Sequence, residues 1–69
     1  MASSENIIAL LNDQIANEQF AAQLYLSMSA WFADKDLDGI ANYFRVQSKE
    51  ELFHADKIFD YLNDIVVYK

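Results

Sequence analysis

Glu18, Glu51 and His54 are ionisable residues set on stripes of sequence that are otherwise mostly apolar. Such side chains are rarely buried unless they pair or hold a metal. Glu51 and His54 stand at i and i+3, so on a helix they share one side and can reach one ion together. Carboxylates with one imidazole and no sulfur suit iron or manganese, with zinc as a competitor. The Glu-x-x-His pair is a weak signal alone. With 11 acidic residues in the chain, its single His had roughly a one-in-six chance of an acid three places before it. The structural alternative is that Glu18 snorkels to an edge while His54 stays neutral, hydrogen-bonded to Glu51 or Tyr25. Three inward polar groups at one depth are hard to satisfy without a cation, which favours the metal.

The elements that position these residues read as two long helices. The chain has no proline and a single glycine, Gly39, so little interrupts a helical reading. Residues Leu11, Ile15, Glu18, Ala22, Tyr25, Ser29 and Phe32 follow steps of four and three, one face of a helix. Ile40, Phe44, Gln47, Glu51, His54, Ile58, Tyr61 and Ile65 repeat that rhythm. Between them, the charged stretch from Ala33 to Gly39 holds the turn. We therefore expect a single unit over residues 1–69, with a helix at about 4–33, a turn at about 34–37 and a helix at about 38–66. Ser3 or Ser4 is expected to cap the first helix, and Asp36 or Asp38 the second. In an antiparallel hairpin turning there, Glu18 and the Glu51–His54 segment lie at a similar depth and face each other.

Composition bounds the function. Of the 69 residues, 54% are hydrophobic, including one Trp, four Tyr and five Phe. Two helices cannot hide that much apolar surface between themselves, so self-association is expected. Phe20, Leu24, Met28, Trp31, Tyr43, Phe53 and Phe59 lie off the stripes and either widen the core or serve subunit contacts. A net charge of −6 argues against nucleic acid or an anionic membrane as partner and favours a cation. Without cysteine, disulfides, thiolate ligands and a Cys nucleophile are excluded. The first residues carry neither a basic n-region nor a long apolar core, so no signal peptide or membrane anchor is expected, and a cytoplasmic location follows by default.

One hairpin offers three protein ligands, too few for two metal ions. A twofold dimer brings Glu18, Glu51 and His54 from each chain to one axis and completes the ligand set of a di-metal carboxylate bundle. The expected fold is thus all-α, an antiparallel hairpin that dimerises into a four-helix bundle. Glu51 of each chain would bridge the ions, with Glu18 and His54 as terminal ligands. Glu50 points away from that centre and is read as solvated, with an accessory iron site as the lesser option.

The segments Gln19-Phe20-Ala21-Ala22-Gln23-Leu24-Tyr25-Leu26-Ser27-Met28-Ser29-Ala30-Trp31-Phe32 and Gln47-Ser48-Lys49-Glu50-Glu51-Leu52-Phe53-His54-Ala55 closely resemble the first and second helices of non-haem ferritins. The similarity covers nearly the whole chain, and Glu18, Tyr25 and Glu51-x-x-His54 together are more specific than any one motif. The resemblance implies a ferroxidase that oxidises Fe(II) with dioxygen or peroxide and passes on Fe(III) for storage or detoxification. By that match Glu18, Glu51 and His54 are iron ligands. Tyr25 resembles the tyrosine beside the centre, placed to hydrogen-bond a ligand or donate an electron. Leu52 stands where a haem-binding bacterioferritin carries its axial Met, so no haem is expected.

A ferritin subunit has four long helices and usually a short fifth, whereas this sequence corresponds to the first two. Either the hairpin dimerises, as a higher oligomer or even a cage, or it is part of a longer subunit. The alternative function is a helical assembly module, or an inactive ferritin fragment, without a working metal site. Zinc or manganese in the same site is a further alternative, and zinc would be redox-inert.

Overall fold

The computed structural model describes the backbone of residues 2–67 and the side chains of residues 5–65. Two helices fill it, α1 (Ala2–Asp34) and α2 (Asp38–Val67). They lie side by side in an elongated pair whose extents are 53 × 16 × 10 Å. At 1.5 Å per residue, 33 residues of α1 span about 50 Å, so one uninterrupted helix sets the length of the molecule. No described helix is long and apolar enough to cross a membrane.

The connection is short because α1 ends in a tight hydrogen-bonded cap. Leu37 N–H donates to the Phe32 carbonyl at 3.0 Å and Asp36 N–H to the Ala33 carbonyl at 3.0 Å. That pair of bonds is a Schellman motif. Its left-handed residue is Asp36, with φ of 62°, a conformation usually given to glycine but tolerated by Asp. Gly39, the only glycine, has no positive φ and lies inside α2. The expected caps are corrected accordingly. Asp36 closes α1 rather than opening α2, and the Leu37 carbonyl accepts the first α2 bond, from Ala41 N–H at 2.9 Å. Asp38 stands in the first turn of α2, where its charge meets the positive end of the helix. Ser3 and Ser4 fall within α1, which begins at Ala2, and their side chains lie outside the described residues.

The helices meet along two seams with alternating steps of three and four. In α1 the seam is Ile8, Leu11, Ile15, Glu18, Ala22, Tyr25, Ser29 and Phe32; in α2 it is Ala41, Phe44, Ser48, Glu51, Ala55, Ile58, Leu62 and Ile65, all buried or half-buried. A mean spacing of 3.5 residues is the coiled-coil period. The α1 seam contains every residue of the expected stripe. The α2 seam differs from expectation in alternate members. Ala41, Ser48, Ala55 and Leu62 are buried, whereas Ile40, His54 and Tyr61 are exposed and Gln47 is half-buried. The row Phe44, Glu51, Ile58 and Ile65 is common to both readings.

Side-chain size explains the choice. Ala and Ser at 41, 48 and 55 let α2 approach Ala22 and Ser29 closely, while a row of Ile, Gln, His and Tyr would hold the backbones apart. The approach is close enough for two serines to bond across it. Ser48 Oγ donates to the Ala22 carbonyl and Ser29 Oγ to the Ala41 carbonyl, both at 2.7 Å. Toward the turn the seam is aromatic, with Phe44 stacked on Phe32 at 5.6 Å and on Tyr25 at 6.0 Å between centroids. Such pairs are worth about 0.5–1.5 kcal/mol each beyond their burial.

This seam is a thin core. Among the described residues the buried hydrophobic ones are Ala22, Ala41, Ala55 and Leu62, while Phe20, Leu10 and Phe53 are among many large apolar side chains left exposed. The accessible surface is 5276 Å², against roughly 4,450 Å² for a compact monomer of the same mass. The excess of about 800 Å² is what one partner contributes to a standard protein interface.

Candidate metal centre

Glu18 sits midway along α1, and Glu51 and His54 midway along α2, because the antiparallel seam places those segments opposite one another. His54 Nδ1 lies 3.2 Å from Glu18 Oε2 and 3.8 Å from Glu51 Oε1. One ligand atom from each of the three falls within 4.8 Å of the others. The two carboxylates are set into the seam, at 17% and 19% side-chain exposure, whereas His54 is 52% exposed. The imidazole therefore comes in from the flank of α2 rather than from within the seam between α1 and α2. It still converges on the carboxylates because its row lies next to the row of Glu51.

The electrostatics are those of crowded acids. The Glu51 carboxyl is held above the ordinary carboxylate range, first by a hydrogen bond with Glu18, then by burial, then by the Glu18 charge, with His54 acting the other way. Two negative carboxylates this close repel each other when no cation lies between them. A divalent ion in that place would offset that repulsion and bond both acids and the imidazole, so the donors present fit iron and do not need sulfur.

The remaining expected site residues fall around this group. Tyr25 occupies the seam two turns from Glu18, half-buried, its ring stacked on Phe44. Glu50 is exposed and takes a long contact, 3.5 Å, from Gln47 Nε2; it does not join the cluster. Leu52 is exposed at 48%. Sequence reading overlooked Ser48 in the seam and, for Ser29, which it placed on the α1 stripe, the bond across to the other helix. Their signal was a small polar residue at the position where a seven-residue step along α2 meets Ala41 and Ala55, and along α1 meets Ala22.

A family model described as ferritin-like domain matches residues 8–65. Over 61 residues the chain is 46% identical to the bacterial non-heme ferritin of Staphylococcus haemolyticus strain JCSC1435. It is equally similar to the proteins of that name from Staphylococcus aureus strains USA300 and N315. Each alignment takes in 88% of this chain but 37% of the relative, so the chain spans well under half the length of the curated relatives it matches. No solved structure matches it.

Proposed function

The chain belongs to the ferritin-like family, and on that premise we propose that it binds Fe(II) and oxidises it to Fe(III) at a di-iron site formed between two copies, for iron storage or detoxification. The observation that carries this reading is the convergence of Glu18, Glu51 and His54 within 4.8 Å. One hairpin supplies half a ligand set, and a twofold axis past Glu51 would supply the other half. The uncovered apolar surface of the hairpin supports such an association, since a four-helix bundle would enclose much of it.

Iron is the substrate in this reading. In each chain Glu18 and His54 would together hold one ion as terminal ligands, and Glu51 would lie between the two ions. Their combined negative charge favours Fe(II) over monovalent ions and favours Fe(III) more strongly still. Tyr25, two turns along the seam, would donate a hydrogen bond toward the centre or supply an electron. Each Fe(II) gives one electron; dioxygen takes two with two protons to leave hydrogen peroxide, or peroxide takes two with two protons to leave water.

The test is the rate at which Fe(III) absorbance rises when Fe(II) is added in air. The wild-type chain should oxidise Fe(II) well above the buffer rate, and Glu51→Ala should return it to that rate. Equal rates for both proteins would remove the assignment.

A further inference from the structure

We propose that Ser48 is a positioning residue for the metal centre, its hydrogen bond to the Ala22 carbonyl selecting which row of α2 faces α1. The inference rests on Glu18, Glu51 and His54 being the metal ligands, and it concerns what places them.

Two rows of α2 compete for the seam. Ile40, Gln47, His54 and Tyr61 lie on one side of the shared row of Phe44, Glu51, Ile58 and Ile65; Ala41, Ser48, Ala55 and Leu62 lie on the other. Both alternatives keep the shared row inward; the small residues of the second row allow the close approach, but apolar contact is non-directional and does not by itself hold α2 at one rotation. A rotation of α2 by about one residue would exchange them. It would drive the His54 imidazole into the seam between the helices, away from the flank position where Nδ1 meets Glu18 at 3.2 Å.

A hydrogen bond is directional and resists that rotation. Ser48 is 5% exposed, and its hydroxyl does not turn back on the carbonyl of its own helix, the usual choice for a serine in mid-helix. It crosses to Ala22 at 2.7 Å. Ala22 stands one turn from Glu18, and Ser48 stands just under one turn from Glu51. This bond is thus the polar contact between helices nearest the cluster on its turn side. Ser29 makes the same kind of bond to Ala41, but next to a connection whose Schellman cap already fixes the helices. Ser48 works farther from that anchor, where α2 is freer to rotate.

The experiment compares the full chain with Ser48→Ala and Ser29→Ala, titrating each with Co(II) alone and recording its d–d absorption at saturation. Far-UV circular dichroism establishes that each variant is helical. Ser48→Ala should bind Co(II) about ten-fold more weakly, the usual loss when a group that orients ligands is removed, and its d–d bands should shift. Ser29→Ala should keep the wild-type bands and affinity while losing a comparable amount of thermal stability. Wild-type affinity and bands in Ser48→Ala would overturn the proposal, as would equal weakening by both variants, which is a general stability effect. If the wild-type chain itself takes up no Co(II), the ligand assignment falls and the role of Ser48 with it.

Discussion

His54 Nδ1 lies 3.2 Å from Glu18 Oε2, a contact between the middles of two helices that run in opposite directions. It joins an exposed imidazole to a carboxylate set in the seam, and Glu51 closes the triangle. A structure that wanted only stability would gain by replacing these groups with apolar ones, since polar groups in a seam contribute little unless fully satisfied. The cluster therefore makes opposite demands on stability and on metal binding, and variants separate the two.

Replacing Glu18 by Gln keeps its shape and removes its charge. Metal affinity should fall by one to two orders of magnitude, while the metal-free hairpin keeps or raises its thermal midpoint because the crowding of acids is relieved. Calorimetric titration and thermal unfolding of the same variant check both halves. A lower midpoint with unchanged affinity would make the contact structural.

Binding should stabilise the fold by mass action. At a free metal concentration of 100 Kd the gain is about 2.7 kcal/mol, which for a chain of this size moves the midpoint upward by on the order of 10 °C. Zn(II) should stabilise as Fe(II) does yet give no oxidation in air, because it has no accessible higher state. Thermal scans with and without each metal measure this.

The hairpin was legible in the sequence, and the choice of seam was not. Periodicity located the α1 stripe from Leu11 to Phe32 and the shared α2 row from Phe44 to Ile65. It did not distinguish Ile40, Gln47, His54 and Tyr61 from Ala41, Ser48, Ala55 and Leu62, because both rows lie beside the shared one and the bulkier one looks more like a core. What decides is how near the backbones can come, which depends on Ala22 and Ser29 of the other helix, and the serine bonds that this approach allows. That the Glu18 segment lies opposite the Glu51–His54 segment was legible because it depends on depth from the turn; the side from which His54 reaches Glu18 was not, because it depends on the rotation of α2.

The turn carries a second lesson and a prediction. Asp36 and not the only glycine holds the left-handed conformation, and a Cβ added to Gly39 would meet nothing within 4 Å. Asp36→Gly should relieve the strained backbone and Gly39→Ala should reduce the entropy of the unfolded chain, each stabilising by roughly 0.5–1 kcal/mol. Denaturant unfolding of the two variants and of the double variant should show both gains adding. A loss in Asp36→Gly would contradict the Schellman geometry.

The thin core predicts that folding and association are linked. With Ala22, Ala41, Ala55 and Leu62 as the buried apolar residues among those described, an isolated helical hairpin is marginal. The thermal midpoint should therefore rise with protein concentration, and helicity should fall on dilution. Circular dichroism over a hundred-fold concentration range reads this directly, and a midpoint independent of concentration would show that the hairpin stands alone.

The most direct measurement is an anaerobic Fe(II) titration of the metal-free chain, with the mass of the species followed by sedimentation and air admitted at saturation. Saturation at two irons per dimer, followed by rapid oxidation, is the expected result for a centre built from Glu18, Glu51 and His54 of two chains. Absence of saturable binding, or saturation of a species that remains monomeric, would contradict it.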